Sequence, residues 1–555
     1  MSTIVALRGL AALTVLAGSL AVSTGCAGAP RESATRPNLL DSARVADRVR
    51  ALVRNTAAQT AYSPGFALLW VDVTGRPGNA AREAIELLGS APADGLDSAA
   101  YDAGALERRR VALAGGRRPA LEEVTAFDVD LTSSVLRFLN DLHEGRVDPG
   151  RFGFEFARRK DRHDLPALLR KAAADGELSD LAEKVRPEAA QYERLREALA
   201  KYRELAREAP AWNALPKPRA PVKPGDPYPG LATVAERLAL LGDLPGSARD
   251  DADSARYREP LVDAVKRFQA RHGLEPDGVL TPPTIAALDV PPARRARQLA
   301  LSLERLRWMP ELDSGRYVVV NIPTYHLWAW DADERGAGPA LSMRVIVGKG
   351  ALNTRTPVFV EEMRYVVFRP YWDIPPGITR NEILPAARKN PHYLASQDME
   401  IVPANGKGDP PDDVEEGLEL VEEGRARIRQ RPGPRNALGL VKFIFPNDES
   451  VYLHGTPAEE LFARNRRAYS HGCVRVEDPV ELAEWVLRDV PGWDRERILD
   501  AMHGRSSKRV NLATPVRVVL FYTTATVERD GTVEFYEDIY GHDDRLLAAM
   551  DGAGR

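Results

Sequence analysis

The spacing of hydrophobic positions changes character along the chain. From residue 41 to about 210 it is helical. Leu131, Val135, Leu136, Leu139 and Leu142 line one face before Gly145 stops the run, and Tyr192, Leu195, Leu199 and Tyr202 repeat the pattern. From 231 to about 290 shorter helices are predicted. Leu261, Val262, Val265 and Phe268 share a face, and Gly273 ends that helix. Pro276-Asp277-Gly278 then makes a turn, and Thr281 caps a further helix with Pro282 at its first position. After residue 315 the texture becomes strand-like, in short segments rich in β-branched and aromatic residues. These run Tyr317 to Ile322, His326 to Trp330, Met343 to Val347, Tyr365 to Trp372, Val441 to Phe445 and Val451 to Leu453. Val516 to Val527 and Val533 to Tyr536 flank Asp530-Gly531 as a late hairpin.

This order predicts a multidomain α+β chain, and 555 residues exceed what one core holds. A helical scaffold domain occupies 41–212 and a Pro-rich segment 213–230, either a stiff linker or a wrap across a surface. A small three-helix module follows at 231–292, then a mainly-β domain at 300–541 and a tail at 542–555. Between Pro375 and Ala437 the chain is polar and broken by prolines, including Asp409-Pro410-Pro411. Its part at 385–437 reads as an insertion capping the β domain, a lid or mobile subdomain rather than a buried strand. The net charge of −4 gives no basic field for nucleic acid, and Arg108, Arg109 and Arg110 read as a solvated helix face.

The first residues read as an address. Arg8 is a minimal positive region, Gly9 to Val22 is apolar but short for a membrane span, and small residues follow. A signal peptide over 1–26, a tether over 27–40 and export to the periplasm or cell envelope are expected. Gly25-Cys26 resembles a lipoprotein processing site, although Ser23 stands where that motif usually has Leu. A lipid on Cys26 would anchor the protein to a membrane; a plain signal peptide cut nearby is the other reading. The chain has two cysteines. With Cys26 lipidated or removed, Cys473 has no intramolecular partner in an oxidising compartment. It is then an inert buried hydrophobe or a reactive thiol, and its neighbours decide.

Those neighbours run from Tyr452-Leu453-His454-Gly455-Thr456 to Tyr469-Ser470-His471-Gly472-Cys473-Val474-Arg475-Val476. A thiol needs a base to become a strong nucleophile, and an imidazole serves. Acyl transfer also needs donors for the developing oxyanion, and Gly472 leaves the backbone beside Cys473 unobstructed. His454, His471 and Cys473 could instead approach a metal, but no fourth ligand is evident, so no metal is expected.

The segment resembles the L,D-transpeptidase catalytic domain, whose pattern is His-Gly, a spacer, then Ser/Thr-His-Gly-Cys. Pro370-Tyr371-Trp372-Asp373-Ile374-Pro375-Pro376 and Asp538-Ile539-Tyr540-Gly541 are similar to the large periplasmic subgroup. That subgroup joins a helical scaffold, a peptidoglycan-binding module and a catalytic β domain with a capping insertion. The stretch from Leu261 to Gln269 and on through Asp277-Gly278-Val279-Leu280-Thr281 to Leu288 looks like such a peptidoglycan-binding module. A spacer that grips no ligand is the other reading of it. The resemblance implies Cys473 as nucleophile and His454 as general base, with the Gly455 carbonyl orienting the imidazole. His471, Gly472 and Cys473 would supply oxyanion-hole N–H groups. Tyr371, Trp372, Ser470 and Arg475 would be substrate or structural residues. Arg475 stands where many members have Asn, and bracing the backbone is preferred there over holding a substrate carboxylate.

The implied activity is cross-linking of peptidoglycan stem peptides through a cysteinyl acyl-enzyme, with release of terminal D-Ala. The partners would be a tetrapeptide donor and a stem-peptide acceptor, and this mechanism needs no organic cofactor. Alternatives are a sortase-like transpeptidase, an L,D-carboxypeptidase or endopeptidase of the wall, and a wall-anchored scaffold with a decayed catalytic domain.

Overall fold

The computed structural model describes residues 40–156, 163–209, 212–245, 256–310, 312, 315–331, 338–407, 409–411 and 413–552. The expected signal peptide, Cys26 and nearly all of the tether lie outside them.

The scaffold packs its helices around Leu121–Glu144, which buries Val124, Phe127, Leu131, Val135, Phe138 and Leu142 and ends at Gly145. Beside it, Ala190–Glu208 buries Tyr192, Leu195, Leu199 and Tyr202. The anticipated helical faces are therefore the core faces.

The proline-rich segment wraps rather than spaces. Leu215, Val222 and Tyr228 are buried in the core of the following module, and Val222 pairs with Leu280 across it. Within that module Leu261–Ala270 buries Val262, Val265 and Phe268, and the Thr281 hydroxyl accepts from the Thr284 N–H as an N-cap. The module sits against the β domain: Phe535 N–H donates to the Arg271 carbonyl at 2.9 Å. The Arg271 guanidinium is paired with Asp243.

Helix Pro292–Trp308 is the common spine. Ala296, Leu299, Leu303 and Leu306 join the scaffold core, whereas Leu301 and Trp308 join the core of the β domain. Its buried charges are paired. Glu304 accepts from Arg146 and Val147 N–H and from Arg307, and Arg307 also donates to Tyr192 and to the Asp94 carbonyl.

The β domain is built on a ten-stranded sheet. Strand Val358–Phe368 pairs with Lys508–Phe521 on one side and Val441–Ile444 on the other, so the sheet closes on itself and hides those edges. Between them lie, in order, Tyr317–Asn321, His326–Trp330, Leu341–Gly348, Val474–Val476 and Leu453–His454. Alternation decides which face is buried: Val474 and Val476 point into the core, and Arg475 does not.

The strand expected from Tyr365 to Trp372 starts earlier, at Val358, and ends at Phe368, and Trp372–Asp373 belongs to another sheet. The run expected from Val516 to Val527 is broken after Phe521 and resumes at Ala525–Val527. The Asn321 amide pins Thr523 at the break, donating to its carbonyl and accepting from its N–H.

The insertion is a folded subdomain, not a loose loop. Trp372–Asp373, Ala426–Gln430 and Met399–Pro403 form a three-stranded sheet over a core that includes Ile374, Ile383, Leu384, Ile401, Leu418 and Ile428. It therefore begins before residue 385. Its strands carry little sequence signal because Arg427 and Arg429 alternate with Ala426, Ile428 and Gln430, leaving few apolar positions in a row.

Candidate active site

Register builds the site. Leu453–His454 runs parallel to Val474–Val476, with His454 opposite Arg475, and antiparallel to Val441–Ile444, with His454 opposite Lys442. Directly paired residues share a sheet face, so Lys442, His454 and Arg475 form a row. Cys473 and Tyr452, each two residues earlier on their chains, belong to that face too. The two neighbouring strands thus put the thiol and the imidazole on one face of the sheet.

His454 is buried, and its Nδ1 lies 2.6 Å from the Gly455 carbonyl. A carbonyl only accepts, so Nδ1 carries the proton and Nε2 of the neutral ring carries the lone pair. Burial, reinforced by the Arg475 charge, pushes the imidazole pKa down to about 3. The ring is therefore neutral at physiological pH and able to receive a proton.

Cys473 is a half-buried free thiol whose Sγ lies 3.9 Å from the Ser450 carbonyl. Burial pushes its pKa up, while hydrogen bonds from Tyr452 and the charges of Arg475 and Lys442 act against that rise. Thiol and imidazole are thus both held towards their neutral forms. The arrangement favours proton transfer during attack over a resting thiolate–imidazolium pair.

The Arg475 guanidinium makes no hydrogen bond among the described residues, and its Nε is buried without a partner. Bracing of the backbone by this side chain is therefore absent there; its charge faces the thiol. Lys442 is largely buried, has its Nζ 5.5 Å from the Tyr452 ring centre and feels both Asp373 and Cys473.

Gly472 has φ of +124°, a conformation that few residues but glycine adopt. The buried Ser470 hydroxyl accepts from the Gly472 N–H at 3.1 Å and donates to the Cys473 carbonyl at 2.5 Å. His471 turns outward, with Nε2 2.7 Å from Glu382 of the insertion. Tyr371 and Trp372 stand at the root of the insertion. Tyr371 lies under Arg429 at 4.4 Å, and Trp372 pairs with Gln430.

Residues 315–518 match the model of the L,D-transpeptidase catalytic domain. The chain carries an L,D-transpeptidase catalytic domain. Residues 30–199 match a "Scaffold domain" and 228–288 a "Putative peptidoglycan binding domain". A Haemophilus influenzae protein named "Putative L,D-transpeptidase" is 33% identical over 254 residues, 46% of this chain. The match spans about half of that relative, 49% of its length.

The transpeptidase domain holds residues that the sequence did not single out for the site: Lys442, Glu382, Thr356 and Tyr540. Lys442 had a signal, a charge between Val441 and Phe443 on a strand, which places it on the face opposite theirs. Glu382 had none, because its contact with His471 bridges 89 positions.

Proposed function

We propose that this protein cross-links peptidoglycan stems by cysteine acyl transfer, with Cys473 as nucleophile and His454 as base. The observation that carries the reading is the strand register that pairs a neutral, Nε2-basic His454 with Arg475 on the strand that directly follows Cys473. The matched transpeptidase and peptidoglycan-binding domains support a wall peptide as substrate.

In the first step Cys473 Sγ attacks the carbonyl of the third stem residue as His454 Nε2 takes the thiol proton. The oxyanion is received by the Cys473 N–H, because the Gly472 N–H, also expected as a donor, is held by the Ser470 hydroxyl. Collapse breaks the L,D peptide bond, the His454 proton goes to the leaving amine, and terminal D-Ala departs, leaving a thioester. In the second step the side-chain amine of a neighbouring stem attacks. It loses its proton to His454, and Cys473 is released as the thiol. Lys442 and Arg475 place positive charge at the thiol, which lowers the cost of negative charge there during attack. Water as acceptor would make the same intermediate a carboxypeptidase.

The reading includes export to the cell envelope, with the leader before Cys26 as the address and Cys26 as the lipid-anchor position. Scaffold and module would hold the transpeptidase domain against the wall.

Purified protein incubated with tetrapeptide muropeptides tests the chemistry. Mass spectrometry should show cross-linked dimers with loss of D-Ala and a carbapenem adduct confined to the peptide containing Cys473. An adduct retained by Cys473→Ala, or no reaction with either reagent, would overturn the reading.

A further inference from the structure

The Gly472 carbonyl belongs to the same peptide unit as the Cys473 N–H. Thr356 Oγ1 donates to that carbonyl at 2.7 Å and accepts from the Gly348 N–H at 2.9 Å. A hydroxyl has one proton, so these two contacts fix its direction towards Gly472. Thr356 is itself held. Its N–H donates to the Tyr540 hydroxyl at 3.0 Å, and that hydroxyl donates to the Gly348 carbonyl at 2.7 Å. Thr356 and Tyr540 are buried. The loop between Gly348 and Thr356 folds back so closely that a Cβ on Gly348 would collide with the Thr354 carbonyl oxygen.

In a trans peptide the C=O and N–H point in opposite directions. Drawing the Gly472 oxygen inward to Thr356 therefore turns the Cys473 N–H outward. That N–H donates to no acceptor among the described residues. Ser470 fixes the next carbonyl, that of Cys473. The backbone on both sides of the thiol is thus locked, by a strand residue on one side and by Thr356 with Tyr540 on the other.

We propose that Thr356, held in place by Tyr540, is a positioning residue that aims the Cys473 N–H at the oxyanion. The proposal rests on the reading of Cys473 as nucleophile. Neither residue touches the reacting atoms. Their contribution is to keep the donor oriented before charge develops, where reorientation would otherwise cost rate.

The test separates two reactions of one thiol. Carbapenem acylation passes through an oxyanion: Sγ adds to the lactam carbonyl, the C–N bond breaks and the ring nitrogen takes the proton. Alkylation by iodoacetamide displaces iodide and forms no oxyanion. In Thr356→Val the acylation rate should fall about 100-fold while alkylation at Cys473 stays within about twofold. Thr356→Ser keeps the hydroxyl and should acylate within about fivefold of wild type, and Tyr540→Phe should lose about tenfold. Wild-type acylation in a folded Thr356→Val, or parallel loss of acylation and alkylation, would overturn the proposal. Should Thr356→Val fail to fold, Tyr540→Phe decides: undiminished acylation there has the same force. Absence of any wild-type adduct at Cys473 would instead refute the nucleophile assignment beneath it.

Discussion

His471 Nε2 lies 2.7 Å from Glu382 Oε1, so the loop that precedes Cys473 is tied to the insertion. Both side chains are partly solvated, 30% and 52% exposed, and such a pair contributes at most about 1 kcal/mol. Its role is then to place the insertion, not to hold the domain together. Glu382→Ala should leave the melting temperature within about 2 °C of wild type. It should speed hydrogen exchange across Thr379–Ile383 and raise the ratio of hydrolysed to cross-linked product, because a loosened cap admits water to the thioester. An unchanged product ratio with faster exchange would mean that the cap does not guard the thioester.

The two histidines near the thiol have different surroundings and should behave differently on removal. His454 is buried with its Nδ1 proton committed to Gly455, whereas His471 faces the insertion. His454→Ala should reduce carbapenem acylation by about 100-fold or more across neutral pH, the range of a lost general base. His471→Ala should cost less than about tenfold, since the backbone N–H groups survive the substitution. Stopped-flow fluorescence with intact-mass confirmation measures both, and equal losses would sink the assignment of the base.

The lowered His454 pKa also sets a pH profile. Protonation of the folded ring waits until about pH 3, so the base form persists throughout the ordinary working range. Acylation at saturating carbapenem should be flat from about pH 5 to 8, with no inflection near the ordinary histidine value of about 6.5. Stability follows the same shift. Below the unfolded value the unfolded chain binds a proton that the folded ring refuses, so stability from this residue is lost as pH falls. The melting temperature of wild type relative to His454→Gln should therefore drop between about pH 7 and 4. A unit-slope fall in acylation centred near 6.5 would contradict the neutral-pair description.

Much of this was legible because period and punctuation carry the information. Leu131 to Leu142 with Gly145 gave the scaffold helix, and Thr281-Pro282 gave the cap of the module helix. His454 and Cys473 stood out because a lone thiol and an ordered histidine pattern are rare together. What stayed hidden depends on contacts across the fold. Thr356 reaches Gly472 across 116 positions and Tyr540 reaches Gly348 across 192, and no local pattern encodes such pairs. The insertion's strands were masked for a different reason. Arg427, Arg429 and Arg431 pair with Asp373 and Glu400, so its surface is salt-bridged and its core small.

The coupling of scaffold to transpeptidase domain is testable at Arg307. This guanidinium is fully buried in helix Pro292–Trp308, against Glu304, Tyr192 and the Asp94 carbonyl. Asp94 retains Arg186 and Arg196 if Arg307 is removed, but among the described residues Glu304 has Arg307 as its ion-pair partner and otherwise two backbone N–H donors. Arg307→Met should therefore leave the Glu304 charge buried without a counterion and cost about 3–5 kcal/mol. That loss lies on the spine shared by two cores, so it should lower the melting temperature by about 5–10 °C and split one calorimetric transition into two. Adding Glu304→Gln removes the orphaned charge and should restore part of the loss, a coupling that a double-mutant cycle reads directly. Iodoacetamide should still alkylate Cys473 at the wild-type rate at 25 °C, because the substitution lies outside the row Lys442, His454 and Arg475. Additive losses in the cycle would show that the buried pair does not couple the two domains.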